Sequence, residues 1–282
     1  MATATAESPK LAELRDRARQ FRVDIIRMIE AAGSGHPGGS LSAIDFLTVL
    51  YLGGHLRVNP RQPGDPDRDR FILSKGHCVP ALYAVLAHLG FMPKEELLTL
   101  RRFGSRLQGH PDKRRLPFLE ANTGSLGQGL SIAAGLALAA KLDGKPWQAV
   151  CMTGDGEIQE GQVWEAAMAS SKYKLDNLTW VVDFNQVQQE GLTKDQMPLE
   201  PLRAKIEAFN WHVQEIDGHD LEAIDRALLT ARQATGRPKA IILRTIKGKG
   251  VSFMELQTAW HGKAPKKEEA DRAVAEIMGK TA

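Results

Sequence analysis

Short β-branched runs alternate with helical stretches of roughly 10–15 residues, and this alternation constrains the fold more than any other feature of the chain. Candidate strands fall at residues 71–73, 149–153, 178–184, 211–216 and 240–246. Helical spacing is read between them at 80–89, 125–142, 161–173, 198–209 and 220–233. Strands so far apart in sequence cannot close as tight hairpins. They run parallel, with a helix crossing back each time, and both faces of the sheet must then be covered. Two helices precede this array, at 9–31 and 41–52. In the first, Leu11, Leu14, Phe21, Ile25, Met28 and Ile29 recur near the 3.6-residue period. The mixed basic and acidic tail at 263–280 reads as a solvated terminal helix. The expected architecture is α/β, a doubly wound, mainly parallel sheet with helices on both faces, formed as one domain over residues 1–282.

Composition narrows the partners. Lys+Arg 37 against Asp+Glu 34 leaves a formal charge of +3, too balanced for a nucleic-acid or membrane-surface protein. No stretch reaches the roughly 18 apolar residues of a membrane span. The first residues, Met-Ala-Thr-Ala-Thr-Ala-Glu, lack the basic flank and apolar run of a leader, so a cytoplasmic protein is expected. The two cysteines, Cys78 and Cys151, both lie in apolar contexts, which excludes a disulfide scaffold and points to a reducing compartment.

In open parallel sheets, ligands sit beyond the carboxyl ends of the strands, so the residues after each strand carry the argument. Gly154-Asp155-Gly156 follows the second strand, and Asn185 follows the third. One helix and one strand separate them, which brings their strand ends onto the same edge. A carboxylate and an amide carbonyl from neighbouring strand ends are hard oxygen ligands, suited to Mg²⁺ or Ca²⁺ holding a diphosphate. The flanking glycines let backbone approach a ligand closely, and the turn offers amide donors. Read in isolation, the same triplet is also a common tight turn.

Four of the eight histidines sit beside glycine in loop-like sequence: His36, His77, His110 and His261. None has the i, i+4 spacing of a helical zinc site. Scattered loop imidazoles suit neutral donors and proton carriers around a polar, anionic ligand. His55, His88, His212 and His219 are read as structural, with His219 in a turn before an N-cap at Asp220. The run 123–129 places three glycines ahead of a small-residue helix. It serves either ligand approach or close packing by Gly129, Ala133, Ala134 and Ala137.

With these pieces in order, the sequence resembles the thiamine-diphosphate enzymes, and specifically the transketolases. The family motif of Gly-Asp-Gly with a later Asn is matched at 154–156 and 185. The transketolase segments are matched by Ser-Gly-His-Pro-Gly at 34–38, Gly-His at 76–77, Gly-His-Pro-Asp at 109–112, Thr-Gly-Ser-Leu-Gly-Gln-Gly at 123–129 and His-Gly-Lys-Ala-Pro at 261–265. The resemblance implies the diphosphate-binding fold and a set of site residues. Asp155, Asn185 and the Val187 carbonyl would hold the divalent ion. His77, Gly154, Gly156, Asn185 and His261 would face the diphosphate. Gly124, Ser125 and Leu126 would lie along the aminopyrimidine. His36, His77, His110 and His261 would serve catalysis around the substrate hydroxyls, and Glu160 would meet its symmetry mate in a dimer.

Two departures inside the motifs, Phe184 where many relatives have Asp and Ser125 where Pro is frequent, alter no metal oxygen. A larger departure is that the family's pyrimidine-binding and C-terminal domains have no counterpart here, nor has the glutamate that acts on the aminopyrimidine. The resemblance therefore implies the N-terminal subunit of a split transketolase. A C-terminal transketolase subunit would be its partner in an α₂β₂ assembly, acting on sugar phosphates. The α subunit of a 2-oxo acid dehydrogenase, or a non-catalytic cofactor-binding paralogue, are the alternatives.

Overall fold

Ser8 opens the first helix by accepting from the Leu11 amide at 3.3 Å, and Pro9 occupies the first turn, where no amide donor is needed. The computed structural model describes residues 8–280, so the stretch 1–7 read for a leader lies outside it. In chain order the elements are α1 (Pro9–Ala32), α2 (Pro37–Leu52), β1 (Arg70–Leu73), α3 (Val79–His88), α4 (Gln128–Leu142), β2 (Ala149–Gly154), α5 (Gly161–Lys172), β3 (Leu178–Phe184), α6 (Thr193–Gln196), α7 (Leu202–Ala208), β4 (His212–Asp217), α8 (Leu221–Gln233), β5 (Lys239–Arg244) and α9 (Lys267–Ile277).

The strands form one wholly parallel sheet in the order β1-β2-β3-β5-β4. Alternate residues feed two separate cores, as strand periodicity requires. Phe71, Leu73, Val150, Met152, Val181 and Leu243 pack beneath α1, α2, α3, α8 and α9. Ile72, Cys151, Trp180, Val182 and Ile242 pack beneath α4, α5 and α7. The two largest buried side chains, Trp180 and Trp211, both satisfy their indole N–H groups. One donates to Thr153 Oγ1 at 2.9 Å and the other to the Ala167 carbonyl at 3.0 Å. Helices thus cover both faces. After β3 the chain passes to the edge strand β4, then returns through α8 on the opposite face to β5. That reversal opens a crevice above the ends of β3 and β5.

The terminal helix read as solvated over 263–280 is the shorter α9, whose Ala270, Ala273 and Ile277 are buried in the core, and three other boundaries differ from the sequence reading, each for a local reason. α2 begins at Pro37 rather than at 41. The pair Gly38-Gly39 reads as a breaker, yet both residues are buried in the helix because nothing larger fits. A β-carbon at Gly39 would lie 2.6 Å from Cys78 Sγ, and one at Gly38 would lie 2.9 Å from the Trp260 carbonyl. α4 begins at Gln128 rather than 125, after Gly127 turns with φ of 79°. The helix expected at 198–209 contracts to α7, because Pro198 and Pro201 lack amide donors and hold the residues before them extended.

The small-residue helix packs tightly at its start against a strand end, and its Ala133 and Ala137 share a core with Val163, Ala166 and Ala167 of α5. A β-carbon at Gly129 would lie 2.4 Å from the Ser74 side chain. Gly135, on the outer face of α4, has nothing within 4 Å. Gly129→Val should therefore lower unfolding free energy by about 1–3 kcal/mol through overpacking. Gly135→Ala should raise it by about 0.5–1 kcal/mol through helix propensity. Urea titration followed by circular dichroism checks both signs.

Candidate functional site

The ends of β2 and β3 lie side by side, with Gly154 opposite Asp183 and the Asp155 amide donating to the Asp183 carbonyl at 3.2 Å. Asp155 is 2% exposed. Its carboxylate accepts from the Gly156 amide at 2.9 Å, the Gln186 amide at 2.8 Å and Thr193 Oγ1 at 2.9 Å. All three donors are neutral. Burial, and then the neighbouring Asp183, push its pKa up.

Asn185 donates its Nδ2 to Asp183 Oδ2 at 3.1 Å, and its Oδ1 accepts from the Val187 amide at 3.3 Å. Between them Gln186 adopts φ of 73°, a left-handed conformation that a non-glycine residue takes up at a cost. Its amide bond to Asp155 and its side-chain bond to the Thr245 carbonyl at 3.0 Å hold it there. The tight turn carries the Val187 carbonyl to the same rim, where Lys247 Nζ donates to it at 2.6 Å.

One carboxylate, one amide oxygen and one main-chain oxygen make a hard-oxygen set for Mg²⁺ or Ca²⁺. A divalent ion fits these residues, because the buried Asp155 carboxylate has no bonded cation among the described residues and an ammonium already rests on the Val187 carbonyl. Among the described residues no group of three or more His, Cys, Asp and Glu could hold a metal. The oxygen set here draws on only one such residue.

Three further charged groups, absent from the sequence reading, underlie this rim. Lys75 and Asp183 form a buried ion pair, and Lys75 also donates to the Gly39 carbonyl at 3.2 Å. Burial opposes both charges, yet each partner holds the other ionised, with Lys75 above and Asp183 below its usual range. Ser42 at 2.6 Å and Thr245 also donate to Asp183. Glu157, 3% exposed, accepts from Ser74, from the Gly154 amide at 2.9 Å and from the Gly127 amide at 3.0 Å. It ties the ends of β1 and β2 to the start of α4. Lys75 and Lys247 each follow a strand at the carboxyl edge, and that position was the available signal.

The four loop histidines converge. The His36 ring centroid lies 5.1 Å from that of His77, 5.5 Å from His261 and 6.5 Å from His110, and His77 stacks on His261 at 5.3 Å. With Asp155, Asn185, Gly156 and Val187 they line one cavity of about 320 Å³, the size of a small-molecule site. His36 Nδ1 is buried without a partner, an unmet polar atom in that wall. Lys247 Nζ lies 2.7 Å from His261 Nδ1, so that nitrogen accepts and Nε2 carries the proton. A β-carbon at Gly156 would lie 3.0 Å from Gln188 Cβ, which keeps this wall glycine.

The remaining predicted residues divide. Gly124, Leu126 and Gly154 line the cavity. Ser125 and Glu160 are exposed and lie outside the lining, Glu160 packing close to Gly127. Arg101 is half-buried beside the loop histidines. It takes φ of 58°, reaches Ser34 Oγ at 3.3 Å and the Gly109 carbonyl at 3.4 Å, and adds positive charge beside His36 and His110. Arg106 instead pairs with Glu96. Asp220 caps α8 as expected, accepting from the Glu222 and Ala223 amides.

A strand-end cavity with a glycine cradle, hard oxygens and clustered imidazoles defines a ligand-binding α/β domain of the switch-point type. Residues 14–280 match the family described as "Transketolase, thiamine diphosphate binding domain". The chain is 46% identical to the 6-deoxy-6-sulfo-D-fructose transketolase subunit SqwG of Clostridium sp. (strain MSTE9), over 94% of this chain and 96% of that one. It is 43% identical to one subunit of the apulose-4-phosphate transketolase of Phocaeicola vulgatus, covering 93% and 92%. The transketolase of Pongo abelii is 42% identical over 96% of this chain, which spans 43% of its length. The crystal structure of transketolase from Campylobacter jejuni superposes with a TM-score of 0.88 at 34% identity, over 94% of this chain and 42% of that one. The chain belongs to the transketolase family, through its thiamine-diphosphate-binding domain.

Burial, and then neighbouring cations, lower His36 to about 4 and His261 to about 3. His77 falls well below its usual value for the same reasons. These rings are neutral at pH 7. In the unfolded chain they would take up protons near the ordinary 6.5, whereas in the folded protein they resist until about 4 and 3. Stability from these groups is therefore full above about pH 6.5 and is lost as pH falls through the folded values. Imidazole NMR shifts of His36 and His261 should stay flat between about pH 8 and 5, and the unfolding midpoint should drop on acidification below about 6.

Proposed function

We propose that this chain is the N-terminal subunit of a split transketolase, which with a C-terminal transketolase subunit moves a two-carbon ketol unit from a ketose phosphate to an aldose phosphate. The relatives named above are transketolases or transketolase subunits, which favours this reading over a 2-oxo acid dehydrogenase. The relatives that are themselves single subunits, from Clostridium and Phocaeicola, are spanned almost end to end by this chain. Residues 1–282 then form one diphosphate-binding domain, with the pyrimidine-binding and C-terminal domains on the partner. The active assembly is α₂β₂. Exposed Leu142 at the end of α4 and Met168 on α5 supply apolar positions for it, and exposed Glu160 before α5 an acidic one.

Bound thiamine diphosphate supplies the electron sink for breaking and forming the carbon–carbon bond. This chain's residues bind, orient and move protons. Asp155, Asn185 Oδ1 and the Val187 carbonyl hold a divalent ion, Mg²⁺ or Ca²⁺. His77, His261, Asn185 and the backbone at Gly154 and Gly156 face the diphosphate, and the Lys247 charge lies beside it. Gly124, Ser125 and Leu126 lie along the aminopyrimidine side. His36, His77 and His110, held neutral, each offer a donor and an acceptor nitrogen, and His261, whose Nδ1 is taken by Lys247, offers its Nε2–H, for proton exchange with sugar hydroxyls. Arg101, at the rim beside His110, meets the anionic end of the sugar. The buried, unpaired Cys78 and Cys151 accord with a cytoplasmic protein, and no helix among the described residues is long and apolar enough to cross a membrane.

The observation that carries the reading is convergence. Four imidazoles brought from four separate segments face the Asp155–Asn185–Val187 rim in one cavity. The chain alone should show no ketol transfer and should gain it on mixing with its partner subunit. Turnover by the isolated chain in a coupled ketose phosphate assay would overturn the split-enzyme claim. Asp155→Ala should weaken Mg²⁺-dependent cofactor binding by about 100-fold or more in calorimetry on the assembled complex. Undiminished affinity would refute the metal assignment.

A further inference from the structure

Outside the cavity, a chain of buried and part-buried polar contacts runs from α1 to the turn that carries Lys247. Arg22 grips Asp45 with two bonds, at 2.9 and 2.7 Å, and reaches the Lys249 carbonyl with its Nε at 3.1 Å. Asp45 Oδ2 also meets His219 Nδ1 at 2.8 Å. On its other side, His219 Nε2 lies 2.9 Å from the Ile246 amide nitrogen. The next residue is Lys247, 2% exposed, whose Nζ contacts both the Val187 carbonyl and His261.

The donors leave one tautomer. The Ile246 main chain can only donate its N–H, so His219 Nε2 is the acceptor and carries no proton. Nδ1 then carries the proton and donates it to Asp45, which has no proton to give while Arg22 holds it ionised. Asp45 thus selects the ring form whose free lone pair holds the chain at Ile246. The turn beyond has further anchors: the Gly248 amide donates to the Gly38 carbonyl at 2.9 Å, and the Leu256 amide to the Lys247 carbonyl at 2.9 Å. Closer in, the Thr245 amide donates to the Phe184 carbonyl at 3.1 Å, the Lys247 amide to the Asn185 carbonyl at 3.4 Å and the Lys249 amide to the Ile246 carbonyl at 3.2 Å, while the Ile246 N–H between them goes to His219 Nε2. The Ile246 N–H is part-buried, so leaving it unpaired carries a cost, and without the imidazole acceptor this segment shifts to find another.

We infer that His219 is a positioning residue: as a neutral ring locked by Asp45, it holds the main chain at Ile246 so that Lys247 is aimed into the cavity against the Val187 carbonyl and His261. It touches no ligand and acts through Lys247. This deepens the proposed function, since it assigns regulation of diphosphate affinity to a residue on the far side of the sheet edge, and it rests on that reading only for the cofactor measurement below.

The test compares His219→Leu, which removes both nitrogens, with His219→Gln, whose amide offers one acceptor and one donor. The first readout needs no cofactor: the rate at which an amine-acylating reagent labels Lys247 in the full chain, read by mass spectrometry. His219→Leu should raise that rate about tenfold, and His219→Gln should stay within about threefold of the parent. The second readout is the assembled enzyme, where His219→Leu should raise KM for thiamine diphosphate about tenfold while kcat falls less than about threefold. Should His219→Leu not fold, as judged by circular dichroism, Asp45→Asn takes its place. It keeps the shape but frees the ring to flip its tautomer, and it should also speed Lys247 labelling. A folded His219→Leu chain with unchanged labelling overturns the proposal, even if its melting temperature has dropped. Equal disruption by Gln and Leu also overturns it, since ring shape rather than the acceptor would then matter. If labelling behaves as expected but the parent complex binds no thiamine diphosphate, the functional reading fails and the positioning inference stands.

Discussion

Lys75 and Asp183 carry opposite charges into the interior at the carboxyl edge of β1 and β3, where neither is solvated. Taking two charges out of water is expensive, and contact alone seldom recovers the cost. Here the remaining lone pairs are used as well, by Ser42, Thr245 and Asn185. Much of the site depends on that satisfaction. The Nδ2 bond to Asp183 fixes which way the Asn185 amide faces and leaves its Oδ1 on the side of the Val187 amide. Asp155 is poised for a cation because a second carboxylate lies behind it. The ammonium of Lys75 also helps keep His77 neutral.

The same arrangement gives the cavity its electrostatic character. Lys75, Lys247 and Arg101 surround imidazoles that burial has already made hard to charge. Asp183 neutralises Lys75, so the unpaired positive charge beside the pocket is that of Lys247 and Arg101, with neutral, proton-exchanging rings in the wall. An anionic ligand is attracted without forcing the rings into imidazolium. Burial also brings Lys247 down to about 8, so its charge is held only loosely at neutral pH, and a phosphate oxygen nearby would secure it.

Much of this was legible beforehand. The order of strands and helices, the convergence expected at strand ends and the pairing of Asp155 with Asn185 follow from spacing and from the handedness of crossovers. The four loop histidines were legible too, since glycine neighbours remove them from element faces. What escaped were Lys75, Asp183, Glu157 and Lys247. In a one-dimensional reading a lysine after a strand is a surface residue, and Asp183 lies inside an apolar strand where its partner cannot be named. Arg101 escaped for a related reason: three arginines in six residues look solvated, and only the left-handed backbone at residue 101 separates one from the others.

Sequence alone determined what depends on local periodicity and residue chemistry: a parallel sheet covered on both faces, hard oxygens after two adjacent strands, and neutral donors in glycine loops. The tertiary structure decided what depends on distance between segments far apart in the chain. It fixed that Gly38 and Gly39 belong to a helix because Trp260 and Cys78 crowd them. It made Lys75 the counter-ion of Asp183, and it lets Asp45 choose the tautomer of His219, 174 residues away. The division is physical. Backbone preference acts over a few residues and can be read in order, whereas charge burial and close packing are settled only when the chain has been brought back upon itself.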